Sequence, residues 1–281
     1  MMIFVTMVTL YPFLNVLAIS LNQPNDTVKG GIYLFPRLFS LESYKQIFMS
    51  SGLLSAAKVS VMRTVIGAVI TVFMTTMLAF TISRKDFMAR KFISVLFVIT
   101  MYLNGGMIPN FILMRNIGLT HSFWVYIFPA IIDVWSVFVV RSYIDHLPIE
   151  LQESAKLDGA NDLMIFIRII LPLCLPVLAT IGLFATVGQW NSWFDTYIYN
   201  STNKELSTLQ YEMMKILLNT QALQQLATKG NTHDNKYLAS LVSPESIRMS
   251  ITIVATLPIL MVYPFLQKYF IKGLTLGGVK G

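Results

Sequence analysis

The sequence predicts an all-α membrane protein with six transmembrane helices, and two observations carry that prediction. Of the 281 residues, 55% are hydrophobic and only 12% are charged, whereas a soluble domain carries about 25% charged residues. The apolar residues also form six blocks, each long enough to cross a hydrocarbon core about 30 Å thick. Because backbone polar groups must be satisfied internally within lipid, these blocks are predicted to be helices.

The six predicted spans follow one another along a single transmembrane domain that covers residues 1–281. They run over Met1–Leu21, Val59–Ile82, Phe92–Met114, Phe123–Val140, Ile169–Trp190 and Met249–Phe270. The third span is interrupted by Asn104, Gly105, Gly106 and Pro109, which favours either close helix packing or a kink. The alternative is a broken helix beside a substrate pathway.

Basic residues in the connecting segments predict the orientation of the chain. Lysines and arginines are concentrated in Ser83–Lys91, in Arg141–Arg168 and in the tail after the last span, which includes 271–281. Because cytoplasmic loops carry an excess of basic residues, both termini are predicted to be cytoplasmic. Two long segments, at 22–58 and 191–248, would then be external, and apolar residues at helical spacing predict a helix over Leu206–Ala227.

The remaining composition argues against several function classes. The basic segments account for the net charge of +7, so nucleic-acid binding is not indicated. The one cysteine, Cys174, permits no disulfide framework, and the three histidines are scattered, so no metal site is predicted. No cofactor is expected in this chain, and no clustered nucleophile or acid–base pair indicates an enzyme.

The segment Leu147–Pro172, between the fourth and fifth spans, has the pattern of a short helix followed by a sharp turn. Pro148 suits the first turn of a helix, where its missing N–H costs nothing. Glu150 and Glu153 favour the same end through the helix dipole. Gly159 suits the position just past the helix C-terminus, where a positive φ is required.

A second helix is predicted after this corner, and it continues into the fifth span. Asn161 or Asp162 can cap its first turn. The element is compact and combines small residues with charged ones, which suits docking into a groove of another protein. A solvated interfacial loop is equally compatible with the pattern.

The same segment resembles the signature of permeases in binding-protein-dependent ABC importers. That signature reads Glu-Ala-Ala, three residues, Gly, nine residues, Ile, one residue, Leu-Pro. The matching positions are Glu153, Ala155, Gly159, Ile169, Leu171 and Pro172, and Ser154 replaces the first alanine. Five further segments resemble the carbohydrate-uptake branch of these permeases, especially the smaller maltose-system permease and its Gram-positive polysaccharide-oligomer relatives. These segments are Gly105–Pro109, Ile144–Pro148, Leu157–Ala160, Trp190-Asn191 and Gly273–Gly281.

The resemblance implies a type I ABC importer permease fold, with a cytoplasmic coupling helix between helices 4 and 5 in a coupling loop at 145–168. The chain would pair with a second homologous permease, and two copies of a cytoplasmic ATPase would grip the coupling helices. An extracellular sugar-binding protein would deliver a sugar or oligosaccharide, and alternating access would move it across the bacterial cytoplasmic membrane. ATP and magnesium would act in the ATPase subunits, because this chain has no Gly-x-x-x-x-Gly-Lys-Ser/Thr phosphate loop.

The resemblance also implies roles for particular residues. The ATPase-coupling residues would be Glu153, Ser154, Ala155, Asp158 and Gly159, and the ATPase-contacting tail would comprise Gly277, Gly278, Val279, Lys280 and Gly281. No catalytic residue is expected.

Polar residues in or beside the apolar blocks are candidates for a substrate pathway. They are Asn104, Asp133, Gln189, Trp190 and Asn191. An unpaired carboxylate inside a span is costly, so Asp133 is expected to face a cavity or a partner subunit, the alternative being a structural hydrogen bond. Trp190 is expected either in the interfacial aromatic belt or stacked on a sugar. Arg63 is expected to extend its side chain to the external interface, the alternative being a role in the substrate pathway.

Two rival functions stay open on the sequence. One is a secondary transporter that works without ATP, although such proteins often contain more helices and paired broken segments. The other is an ABC permease for a non-sugar solute, which the ligand of the companion binding protein would decide.

Overall fold

The computed structural model describes residues 1–49, 52–229, 243 and 245–261. Within these residues the regular structure is helical, apart from an isolated bridge between Asn22 and Phe39, so the all-α prediction is confirmed. The α-helices in chain order are α1 (Met2–Ser20), α2 (Pro24–Thr27), α3 (Glu42–Met49), α4 (Leu53–Ser83), α5 (Arg90–Tyr102), α6 (Met107–Asn116), α7 (Val134–Asp145), α8 (Glu150–Leu157), α9 (Asp162–Ile165), α10 (Leu171–Leu173), α11 (Leu175–Asn191), α12 (Phe194–Tyr199), α13 (Leu209–Lys229) and α14 (245–261). Short 3₁₀ turns lie at Phe123–Tyr126, Phe128–Ala130 and Lys204–Leu206, and a π-helical stretch covers Phe166–Ile170.

Several predicted spans correspond to these helices. The first and second lie on α1 and α4. The third is divided between α5 and α6, with a break at 103–106 where Gly106 has a φ of +85°. The helix predicted over Leu206–Ala227 is α13. The last span begins at 245 rather than at Met249, and its predicted end and the tail at 271–281 lie outside the described residues.

By length and composition, only α4 among the described residues could cross a membrane as a single unbroken helix. Up to three crossings result if each bent helix pair counts as one. One pair is Phe123–Ala130 with Val134–Asp145, bent by 48°, and the other is Asp162–Leu173 with Leu175–Asn191, bent by 82°. A shorter apolar helix covers Phe4–Ser20. The six crossings therefore stay a prediction.

The chain divides into two compact units, and the first contains residues 1–59 and 207–261. In it α14 packs on α1, where Met249 contacts a small core of Ala18, Ile19 and Ile32. Ser250 supports this contact, since its hydroxyl donates a hydrogen bond of 3.3 Å to the carbonyl of Ser20.

The second unit contains residues 60–206 among those described. Its core is formed by the C-terminal part of α4, by α7, by the residues around the π-helical stretch and by α11. The buried members are Ala79, Phe80, Ile82, Val137, Val140, Ile144, Ile165, Phe166, Ile170, Cys174, Leu178 and Ile181. Phe166 organises part of this core, because its ring stacks on Phe80 at 5.6 Å and meets Phe73 edge-on at 5.8 Å. This core supports the predicted coupling loop, and α4, α7 and α11 continue from it to the cavity described below.

Candidate functional site

The predicted coupling loop at 145–168 contains α8, which carries both predicted acidic residues in its first turn. Glu150 and Glu153 lie there, where the positive end of the helix dipole favours them. Pro148 does not lie in the first turn as predicted. It precedes the N-cap residue Ile149, and its carbonyl accepts a hydrogen bond of 3.4 Å from the backbone N–H of Leu151.

Gly159 forms the corner at the end of α8. Its φ is +81°, a left-handed conformation that glycine adopts without steric cost. The N–H of Gly159 bonds the carbonyl of Lys156 at 3.0 Å, and the N–H of Ala160 bonds the carbonyl of Ala155 at 2.9 Å. These two bonds make a Schellman motif, which satisfies carbonyls that would otherwise lack partners at the helix end.

The second helix of the coupling loop is capped by Asn161. Its side-chain Oδ1 accepts a hydrogen bond of 2.8 Å from the backbone N–H of Met164. Of the two predicted candidates, Asn161 is therefore the cap, while Asp162 is the first residue of α9. Asp162 is free to pair elsewhere and does so, as described below.

The coupling loop has one face on the core and one exposed face. Ala155 and Ala160 pack against the core of the second unit. Glu153, Ser154 and Asp158 are exposed. Leu157 lies beside them with 89% of its surface exposed. The exposed face therefore combines acidic side chains with one large apolar side chain.

Four charged side chains tie the coupling loop to the segment after α4. Arg84 pairs with Asp86 at 2.7 Å and with Asp162 at 3.0 Å, and Lys156 pairs with Asp86 at 3.3 Å. We refer to Arg84, Asp86, Lys156 and Asp162 as the ionic cluster. Hydrogen bonding to Arg84, assisted by Lys156, holds the pKa of the Asp86 carboxyl well below its usual range. The cluster links α8 and α9 to the end of α4.

A cavity of about 340 Å³ lies between α4, the 3₁₀ turns before α7, and α11. We call it the Asp133 cavity. It is lined by Arg63, Thr71, Val72, Thr75, Val125, Tyr126, Pro129, Ala130, Asp133, Ser136, Ile181, Phe184, Ala185, Gly188, Gln189, Ser192, Asp195 and Tyr199. Two of the predicted pathway residues, Asp133 and Gln189, meet here. The other three, Asn104, Trp190 and Asn191, do not line it.

Arg63 is buried in this cavity, so the expectation that it extends to the external interface is wrong. Its side chain is 2% exposed and forms a two-point ion pair with Asp195. The bond lengths are 3.1 Å from Nη1 to Oδ1 and 2.5 Å from Nη2 to Oδ2. The guanidinium also lies 4.5 Å from the centre of the Tyr126 ring, a cation–π contact. A buried charge needs such partners, because desolvating it alone is very costly.

Gln189 holds the opposite side of the guanidinium. Its Oε1 accepts bonds from Nε and Nη2 of Arg63 at 3.1 and 2.9 Å, and its Nε2 donates to the carbonyl of Tyr126 at 3.2 Å. The amide fits only because Gly67 has no side chain. A Cβ added there would lie 2.8 Å from Nε2 and 2.9 Å from Cδ of Gln189.

Asp133 both makes a structural hydrogen bond and faces a cavity, the two roles that the sequence left as alternatives. Its carboxylate caps α7 by accepting hydrogen bonds from the backbone N–H of Ser136, at 3.2 Å, and from the Ser136 hydroxyl. The same side chain is exposed and lines the cavity. A capping bond and a position on a cavity are therefore compatible.

Sequence reasoning missed Asp195 and Gly67 altogether. Asp195 lies in a segment predicted to be an external loop, and Gly67 lies within an apolar block where glycine is common. One sequence feature could have indicated Asp195: a charged residue inside a membrane span needs a partner, so Arg63 required an acidic residue nearby.

In the part of the chain that the structure describes, no three His, Cys, Asp or Glu side chains are placed to hold a metal ion.

The chain is similar to known sugar-transport permeases over nearly its whole length. It is 36% identical over 277 residues to the polygalacturonan/rhamnogalacturonan transport system permease protein YtcP of Bacillus subtilis, covering 98% of this chain and 94% of that protein. It is 28% identical over 283 residues to the arabinooligosaccharides transport system permease protein AraQ of Halalkalibacterium halodurans, covering 99% and 94%. No protein-family profile matches the chain.

A solved structure has the same fold. It is a chain of a bacterial ABC transporter involved in the import of the acidic polysaccharide alginate. The TM-score is 0.82 at 25% identity, covering 95% of this chain and 92% of that chain.

Apolar helices line a partly open cavity whose wall is mostly apolar, and they join a capped helix pair with an exposed face, an arrangement that suits a membrane transport subunit. The similarity to YtcP spans almost both chains. This chain therefore belongs to the family of sugar ABC transporter permeases, and it is a permease subunit of an ATP-driven importer of the cytoplasmic membrane. The family predicted from the sequence is confirmed, and the secondary-transporter alternative is not favoured.

Proposed function

We propose that this subunit moves a carbohydrate, delivered by an extracellular binding protein, into the cell by alternating access. The names of its relatives support a sugar or oligosaccharide as substrate. The observation that carries the mechanism is the geometry of the coupling loop. A short helix, a glycine corner and a capped second helix present one exposed face while the other packs on the membrane-spanning core.

The exposed face of α8 is proposed to dock on a cytoplasmic ATPase. Glu153, Ser154 and Asp158 would supply polar contacts, with Leu157 as an apolar anchor between them. Ala155 would act from the other side, since it packs against the permease core and keeps α8 close to it. Movement of the ATPase would then pass through the ionic cluster to α4, because coupling requires an element that both sites bias.

The proposed assembly contains a second homologous permease, two copies of the ATPase and an extracellular sugar-binding protein. ATP and magnesium would bind the ATPase subunits. The tail residues Gly277–Gly281 would contact the same ATPase interface, and they lie outside the described residues. The Asp133 cavity is proposed as this chain's part of the substrate pathway, which the partner permease would complete.

The proposed topology has six spans, both termini in the cytoplasm and 191–248 outside. A cysteine that replaces Lys156 is expected to react with a membrane-impermeant thiol reagent only after the cells are opened. Labelling of that cysteine in intact cells would contradict the orientation.

Reconstitution tests the function directly. The two permeases, the ATPase and the binding protein in liposomes are expected to accumulate labelled oligosaccharide only when ATP and binding protein are both present. Sugar movement by this chain alone without ATP would overturn the proposal, and so would a companion binding protein that binds amino acids or phosphate but no sugar.

A further inference from the structure

We propose that Asp133 makes the Asp133 cavity selective for uncharged sugar units over sugar units that carry a carboxylate. The inference rests on the assignment of this cavity to the substrate pathway. It concerns the charge of the substrate, which neither the fold nor the family determines. The relatives include a polygalacturonan/rhamnogalacturonan permease and an arabinooligosaccharide permease, so the family contains proteins named for acidic and for neutral sugars.

The first step concerns Arg63, the one cationic side chain that lines the cavity among the described residues. A guanidinium has five N–H donors. Arg63 directs them to Gln189 Oε1 twice, to the two carboxylate oxygens of Asp195 and to the carbonyl of Ser192 at 3.3 Å. Because all five donors are used, a substrate carboxylate could bind Arg63 only by displacing Asp195, Gln189 or the carbonyl of Ser192.

The second step concerns Asp133, whose carboxylate is still open to new partners. Ser136 donates two hydrogen bonds to its Oδ2. Among the described residues nothing bonds its Oδ1, and the side chain is exposed on the cavity. A carboxylate oxygen accepts hydrogen bonds only, so it suits the hydroxyl groups of a sugar.

The third step is the charge of the cavity as a whole. Its charged lining residues are Arg63, Asp133 and Asp195, which give a formal net charge of −1. The ion pair between Arg63 and Asp195 cancels two of these charges, so Asp133 carries the remaining formal charge, which the N-terminus of α7 offsets in part. Beside the mostly apolar lining, that charge repels a uronate more strongly than it would on an open surface.

The test measures the sign of this potential with small thiol reagents. The probe is a cysteine that replaces Ala185, which lines the same cavity. It is placed in the complete transporter, where the natural Cys174 is fully buried and serves as the unlabelled background. Cationic and anionic methanethiosulfonates of matched size are compared, and each rate is corrected for the reaction with a free thiol.

The cationic reagent is expected to react about tenfold faster than the anionic one, as a local potential of about one kT would produce. Asp133→Asn should bring the ratio close to one, and Asp133→Glu should restore it. Glu42→Gln, which removes an exposed carboxylate on α3 outside the cavity, should leave the ratio unchanged.

An unchanged ratio in Asp133→Asn, or a wild-type ratio at or below one, would overturn the charge selectivity. The ratio does not depend on sugar transport. If it behaves as expected but no sugar is transported, the proposed function fails instead.

Discussion

Arg63 and Asp195 lie 132 positions apart in the sequence and form a two-point ion pair inside the second unit. The pair joins α4 to α12, which follows α11 after an interruption of the helix at 192–193. Breaking a buried pair by removing one partner leaves an uncompensated charge, which costs about 3 to 5 kcal/mol. Arg63→Ala and Asp195→Ala are therefore each expected to lower the free energy of unfolding by about 3 kcal/mol, measured by thermal unfolding of the detergent-solubilised protein.

The double variant separates the ion pair from the other contacts of Arg63. Arg63→Ala with Asp195→Ala should destabilise less than the sum of the single changes, because neither charge is left alone. Arg115→Ala is the matched control, since Arg115 is exposed near the end of α6. Strict additivity of the two single changes would show that the pair contributes nothing specific.

Gly67 is expected to be essential for the position of Gln189. An alanine in a helix is normally favourable by about 0.5 to 1 kcal/mol relative to glycine. At Gly67 the added methyl would lie under 3 Å from the Gln189 amide, so Gln189 must leave its position between Arg63 and Tyr126. Gly67→Ala should therefore lower the unfolding midpoint.

Gly182→Ala provides the comparison for this change, because the Cβ added at Gly182 would meet only Val72 at an ordinary 3.6 Å. It should leave the midpoint unchanged or raise it slightly. Equal effects of the two alanines would mean that the amide can move aside at no cost.

The features that could be predicted from the sequence are those that depend on local chemistry. A continuous apolar run is enough to predict α4, and the corner at Gly159 and the cap at Asn161 follow from the needs of adjacent helix ends. The contacts of Arg63 with Asp195 and of Gly67 with Gln189 could not be predicted in this way. They depend on how α4 packs against α11 and α12, and helix packing leaves no short-range pattern in an apolar block.

The ionic cluster is expected to respond to pH only in strong acid. The pKa of Asp86 is lowered in the folded protein, so its stabilising contribution is complete above the unfolded pKa of about 3.9 and is lost as the pH falls further. Asp86→Asn should therefore lower the unfolding midpoint by the same amount from pH 8 to pH 5, and the difference should shrink toward pH 3.

Solvent screening keeps the effect of Asp86→Asn on the unfolding midpoint small. The Asp86 side chain is 62% exposed, and exposed ion pairs contribute about 1 kcal/mol or less. Glu42→Gln, at an exposed carboxylate without an ion pair among the described residues, should show a smaller difference. A difference between wild type and Asp86→Asn that grows below pH 5 would have the wrong sign for this mechanism.

The corner of the coupling loop gives the most direct test of mechanism. Gly159 has a φ of +81°, and a Cβ added there would meet nothing within 4 Å. A valine is therefore strained by its backbone alone, at about 1 to 2 kcal/mol or more. We expect Gly159→Val to insert and assemble but to hydrolyse ATP without the corresponding uptake, because the strain falls on the element that docks on the ATPase.

Gly118 offers a control with the same local geometry. It has a φ of +74°, nothing lies within 4 Å of its added Cβ, and the bonds around it repeat the Schellman pattern at the end of α6. Gly118→Val should therefore cost about as much unfolding free energy as Gly159→Val while the uptake per ATP hydrolysed stays at the wild-type value. Both quantities are measured in the same reconstituted vesicles. If the uptake per ATP hydrolysed falls equally in the two variants, general backbone strain rather than the coupling loop is responsible. Wild-type uptake by Gly159→Val would show that this corner does not transmit the movement of the ATPase.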